Sequence, residues 1–182
     1  TPLYSSAASD VYKRQVGYGA AALGNLYRAL GDDEWPGIVP AAWAGGIRYF
    51  DVAPHYGLGL AERRLGESLR QLPRDEYIVS TKVGRLLVPQ DAAGRTDIDN
   101  LFDVPADHRR VQDYSRDGVL RSIEQSLERL GLDRIDIALV HDPDAHEREA
   151  LEGAFPALSE LRDQGVITSF GAGMNQSAML AR

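Results

Sequence analysis

Short β-favouring runs alternate with amphipathic helical stretches along most of this 182-residue chain, and that alternation constrains the fold more than any other feature. Ile47-Arg48-Tyr49-Phe50-Asp51 is an apolar run set off by Gly45-Gly46. Leu58, Ala61, Leu65, Leu69 and Leu72 then recur at three- and four-residue spacing, one face of a helix that Pro73 ends. Tyr77 to Thr81 reads as the next strand. Val119, Ile123, Leu127 and Leu130 mark a second helical face, stopped by Gly131 at the C′ position. Ile135 to Val140 is a strand, and Leu151, Phe155, Leu158 and Leu161 mark a helix that Pro156 either begins or kinks. Val166 to Phe170 is a further strand. Strand–helix alternation implies right-handed βαβ units and a parallel sheet, an α/β fold. Periodicity alone leaves a closed barrel and an open doubly wound sheet equally available.

The length suits one domain with a real core, and 43% hydrophobic with 26% charged residues is ordinary globular composition. A net charge of −7 gives no general attraction to nucleic acid or anionic membranes. No apolar run approaches the roughly 20 residues of a membrane helix, and no secretory signal pattern is present. With no cysteine, thiol catalysis, disulfides and cysteine-bound metals are excluded. These features together point to a cytoplasmic enzyme. Residues 1–15 show neither period and read as a non-native or unstructured leader before one domain over residues 16–182. Arg85 to Asp117 shows no periodic apolar face and leaves the end of a strand, so a long lid or binding loop is expected there.

Chemistry gathers where the strands finish. One strand ends in Asp51, with Tyr56 five residues on; the next ends in Lys82; the next in His141. In a parallel barrel all strand C-termini open on one face, so these four side chains can converge. A tyrosine that exchanges a proton near neutral pH needs its pKa, about 10 unperturbed, brought down, and a lysine ammonium beside it would do this. Asp51 would keep Lys82 charged and aimed, while His141 could orient a substrate oxygen. Such a station suits carbonyl–alcohol interconversion, with the hydride carried by a nicotinamide. Singly, each residue has a plainer reading: Asp51 as a turn or cap residue, Lys82 as a solvated charge, His141 as a structural histidine, Tyr56 as packing. Gly17-Tyr18-Gly19 with Ala22 meets a relaxed dinucleotide fingerprint but lacks the strand before it and the acidic strand end after it. Asp142, Asp144 and His146 read as loop solvation rather than a metal site, and no metal is expected. His108 and His146 are expected to face solvent.

GIRYFDVAPHYGLGLAERRLGESL, YIVSTKVGRLL and IDIALVHDPD closely resemble the aldo-keto reductase superfamily. Asp51, Tyr56, Lys82 and His141 match that family's catalytic tetrad one for one and in its order, which favours the functional reading over the four plain ones. The resemblance implies a (β/α)8 TIM barrel, here expected to be truncated after about five strands. It implies Tyr56 as general acid/base, Lys82 and Asp51 as its tuners, and His141 orienting the substrate. FGAGMNQ resembles the end of the fifth strand, where the family binds the nicotinamide carboxamide with an asparagine that Asn175 matches. GYGAAALGNL resembles the first strand and its loop, so Gly19, with Asp51, is expected beside the cofactor.

Flanking similarity in VSTKVGRLL, the stretch from Asp113 to Asp144, and GAGMNQSAML favours the aldose 1-dehydrogenase branch, which includes L-fucose dehydrogenase and D-threo-aldose 1-dehydrogenase. That branch implies an aldose oxidised at its anomeric carbon to a lactone, with His55 and Asp142 touching sugar hydroxyls. Pyridoxal oxidation and general aldehyde reduction are the alternatives within enzymes; a non-catalytic cofactor-binding regulatory subunit or an inactive fragment are those outside them. The residues that grip the adenosine phosphate in the family have no counterpart before Arg182, so the resemblance implies NADP or NAD without choosing. Oligomeric state is not implied.

Overall fold

In a computed structural model that describes residues 16–181, the period-two runs join into one parallel sheet. The leader expected over residues 1–15 lies outside the described residues. The elements begin with β1 (Tyr18–Gly19), α1 (Ile38–Ala44), β2 (Tyr49–Asp51), α2 (Leu60–Leu69) and β3 (Ile78–Val83). An antiparallel pair follows, β4 (Arg85–Pro89) and β5 (His108–Gln112), then α3 (Arg116–Leu130) and β6 (Ile137–His141). The chain closes on α4 (Phe155–Asp163), β7 (Ser169–Gly173) and the short α5 (Ser177–Leu180). Sheet order is β1-β2-β3-β6-β7, every pairing parallel. These are five staves of a (β/α)8 barrel. Among the described residues no helix is long and apolar enough to cross a membrane.

Successive strand residues point to opposite faces, and here the two faces differ in chemistry. Phe50, Val79, Val83, Ala138 and Val140 join Leu65, Leu69, Val119, Ile123, Leu130 and Leu158 of the helices in one core. The alternate residues Tyr49, Asp51, Lys82, Leu139 and His141 line a cleft on the other side. Truncating a fully buried leucine such as Leu65 or Leu130 would cost about 2–5 kcal/mol. Helices α2 and α3 approach closely at Gly66, where a Cβ would lie 1.9 Å from Leu130 O. Glu62, fully buried, ties three elements: it accepts from Thr81 Oγ1 of β3 at 2.8 Å and from Arg129 Nε of α3 at 2.5 Å. Ser115 caps α3 through Gly118 N–H, and Gly131, at φ 62°, ends it by donating to Leu127 O and Glu128 O.

Two expectations are corrected and one open alternative is resolved. The Arg85–Asp117 connection is not an open loop: β4 and β5 pair from Arg85↔Gln112 to Pro89↔His108, and Leu87, Phe102 and Val104 build a second small core with Leu58. The last strand starts three residues late, because Val166 and Ile167 donate to Leu161 O and finish α4 instead. Pro156, which the sequence left between beginning and kinking a helix, lies inside an unbroken helical run from Glu147 to Asp163. It lies in the first turn of α4, directly after a π-turn over Ala150–Ala154.

Candidate active site

Tyr56 owes its position to glycines. Gly57 has φ +60°, and a Cβ on it would lie 2.2 Å from Gly24 O; a Cβ on Gly24 would meet Tyr56 C at 2.7 Å. The backbone beside Tyr56 therefore rests on the 3₁₀ turn Ala20–Gly24, an approach only two glycines permit. Leu58 (φ 51°) and Gly59 (φ 82°) continue the left-handed path into α2.

Lys82 is 6% exposed, and its Nζ donates to Asp51 Oδ2 at 2.7 Å, Val52 O at 3.1 Å and Tyr56 Oη at 3.1 Å. An ammonium has three N–H donors, and here each has one acceptor. Tyr56 Oη is thus the acceptor from Lys82, which leaves its own proton free to point elsewhere. Asp51 Oδ1 accepts from Ser80 Oγ at 2.6 Å.

His141 ends β6, and its ring lies 6.0 Å from that of Tyr56 and 5.6 Å from that of His55, edge to face in both cases. Burial, with the Arg85 guanidinium and the Lys82 ammonium nearby, pushes His141 down to about 2. Burial together with Arg110 and Arg85 pushes His55 down to about 3. Both imidazoles are neutral at working pH, and neither Nδ1 has a partner among the described residues. Asp142, at φ 39°, holds Arg85 Nη2 at 2.7 Å and stands 3.5 Å from His141 Nε2. Arg110 of β5 donates to His55 O at 2.9 Å and pairs with Asp97, so the hairpin is fastened to the site.

Asp51, His55, Tyr56, Lys82, His141, Asp142 and Asn175, all named from sequence, share one cleft of about 450 Å3. Gly19 is outside its lining, at the exposed end of β1 beside Asp51, and a Cβ on it would meet nothing within 4 Å among the described residues. Asn175, exposed, follows β7 at the rim. The other two histidines are half-buried rather than solvent-facing: His108 contacts Asp107, and His146 stacks on Tyr114 with centroids 5.2 Å apart. Among the described residues no three His, Asp or Glu side chains group as a metal would require. Sequence reasoning missed Tyr49, Ser80, Arg85 and Arg110. Tyr49 and Ser80 each sit two residues before a tetrad member, a spacing that places them on the same strand face. Gly173 is bare for a reason visible only in three dimensions, since a Cβ there would crowd Lys82 Cε at 3.1 Å.

Comparison with known proteins identifies the family. The Aldo/keto reductase family matches residues 15–180. D-threo-aldose 1-dehydrogenase of Pseudomonas sp is 51% identical over 181 residues, covering 98% of this chain and 55% of the relative. Pyridoxal 4-dehydrogenase of Microbacterium luteolum is 42% identical, covering 88% and 52%. The chain spans about half the length of the curated relatives it matches. Among solved structures, a glycerol dehydrogenase from Gluconobacter oxydans superposes with a TM-score of 0.68 at 25% identity, covering 91% of this chain and 46% of that one. The holo form of an aldo-keto reductase from Bacillus halodurans gives 0.69 at 23% identity, covering 92% and 48%, a likeness of fold. With the family matched across nearly the whole chain, the chain belongs to the aldo/keto reductase family.

Proposed function

We propose that this cleft interconverts a carbonyl and an alcohol with NADP or NAD, and that its substrate is an aldose such as L-fucose or D-arabinose, oxidised at the anomeric carbon to the lactone. The observation that carries this reading is the three-way donation of Lys82, which commits one N–H to Tyr56 Oη. Negative charge that arises on the phenol oxygen meets a fixed, buried cation at 3.1 Å. In reduction Tyr56 gives its proton to the carbonyl oxygen and is left as phenolate; in oxidation the phenolate takes the proton of the anomeric hydroxyl and becomes the phenol. His141, held neutral, can hydrogen-bond that oxygen without adding charge, and His55 and Asp142 stand where further sugar hydroxyls would lie.

A cleft of about 450 Å3 falls within the usual range for small-molecule sites, and its lining combines a few polar groups with Leu139 and Met174. A nicotinamide fits such a lining, with Asn175 at its carboxamide and Asp51 beside it. That group, when bound, accepts the hydride leaving the anomeric carbon.

The relatedness to D-threo-aldose 1-dehydrogenase supports an aldose. A second reading, pyridoxal oxidation, is supported by the relative of that name. Steady-state rates of the full-length protein with L-fucose, D-arabinose and pyridoxal, each with NAD and NADP, separate the two. Turnover of pyridoxal without any aldose turnover would overturn the aldose assignment.

A further inference from the structure

Tyr49 on β2 and Ser80 on β3 take no part in the chemistry above, yet they are joined to it. Ser80 is fully buried, and its Oγ lies 2.6 Å from Asp51 Oδ1 and 3.0 Å from Tyr49 Oη. A serine hydroxyl has one proton. Spent on the carboxylate, where the charge-assisted bond is stronger, it leaves the Ser80 oxygen to accept from Tyr49. Donation therefore runs Tyr49 to Ser80 to Asp51 from one side and Lys82 to Asp51 from the other. Tyr49 is held in turn: its ring packs on Gly17, where a Cβ would stand 2.6 Å from Cδ1.

The consequence lies in how Asp51 meets Lys82. With Oδ1 engaged, only Oδ2 faces the ammonium. Were Oδ1 released, the carboxylate could turn and offer both oxygens to Nζ, and the N–H now on Tyr56 would be drawn away. We propose that Ser80, backed by Tyr49, is a positioning residue for the reaction, keeping Asp51 one-handed toward Lys82 so that the third N–H stays on Tyr56. The inference rests on the role proposed above for Tyr56.

The test uses the full-length protein with Ser80→Ala, Ser80→Thr, Tyr49→Phe and, as control, Tyr56→Phe. Ser80→Ala is expected to lower kcat about tenfold, the worth of one charge-assisted hydrogen bond, with KM changed less than about twofold. It should also move the pH profile of kcat to higher pH by about one unit, because the cation stabilises the phenol oxygen less. Tyr49→Phe shifts both in the same direction by less, and Ser80→Thr, which keeps the hydroxyl, restores them. Should Ser80→Thr fail to fold, Tyr49→Phe still decides, as it deletes only the backing hydroxyl. A lost kcat with an unmoved pH profile in both Ser80→Ala and Tyr49→Phe means a packing role and overturns the proposal. If Tyr56→Phe kills turnover while Ser80→Ala and Tyr49→Phe leave rate and profile intact, the positioning role alone falls. If Tyr56→Phe keeps its turnover, the chemistry of the site falls and the positioning role with it.

Discussion

The imidazole of His141 meets that of His55 edge-on, with ring centroids 5.6 Å apart, and both rings are held uncharged by burial and by cations around them. Unfolding frees each to protonate near its ordinary value of about 6.5. The stability due to the two neutral rings is therefore complete above that pH. It is lost as pH falls from there toward the folded values, about 3 for His55 and about 2 for His141. Between pH 6 and pH 4 each histidine should steepen the loss by up to about 1.4 kcal/mol per pH unit. Urea midpoints across that range should fall faster in the wild type than in His55→Gln with His141→Gln, slopes being compared rather than levels. Imidazole NMR signals from both rings should not titrate between pH 8 and pH 4; a midpoint near 6.5 for either ring would refute its neutrality.

Three acceptors converge on one atom in Lys82, a geometry that a planar guanidinium cannot reproduce. Lys82→Met should cut kcat by roughly a hundredfold or more, the usual weight of a positioned proton-transfer group. Lys82→Arg should restore little of it, although it keeps the charge. Cofactor affinity, read by fluorescence titration, should change far less than kcat in both. Recovery of most of the rate by arginine would show that charge alone suffices and that the directed third N–H does not matter.

Several features were legible in the chain because they repeat or punctuate. Helix α2 showed in the spacing of Ala61, Leu65 and Leu69, the end of α3 in Gly131, and the convergence of Asp51, Tyr56, Lys82 and His141 in their places at or just after strand ends. The hairpin was not legible: β4 and β5 carry Arg85, Arg109 and Arg110 among their apolar residues, and their buried side rests on Leu58 and Phe102 from elsewhere. β7 was offset because Gly171 and Gly173 have little strand propensity, and Gly173 is bare to make room for Lys82. Its register follows from packing, which no local pattern records.

Two glycines separate stability from positioning. Gly66→Ala places a Cβ 1.9 Å from Leu130 O, so α2 and α3 must part, at a cost of about 1–3 kcal/mol or more. Gly57→Ala adds a left-handed strain of about 1–2 kcal/mol to a clash of 2.2 Å with Gly24 O, beside the Tyr56 phenol. Thermal melts should drop for both. Turnover per folded molecule should survive Gly66→Ala and fall at least tenfold in Gly57→Ala, since the loop that carries Tyr56 has to move. Equal turnover in the two would mean that the Gly24–Gly57 contact only supports the fold.

Arg110 links the hairpin to the site, donating to Asp97 at 2.8 Å and to His55 O at 2.9 Å, and Asp97 is only 6% exposed. Removing one partner of a buried pair leaves the other uncompensated, at a cost of about 3–5 kcal/mol. Because the hairpin has its own small core around Leu87, Phe102 and Val104, that cost should appear as local opening rather than global unfolding. Asp97→Asn should speed amide exchange over residues 96–112 while leaving β2, β3 and β6 protected. The strands that carry Asp51, Lys82 and His141 stay in place, so KM for the substrate should rise several-fold with kcat little changed. If kcat collapsed and KM held, the hairpin would have to act on the chemistry itself rather than cover the bound substrate.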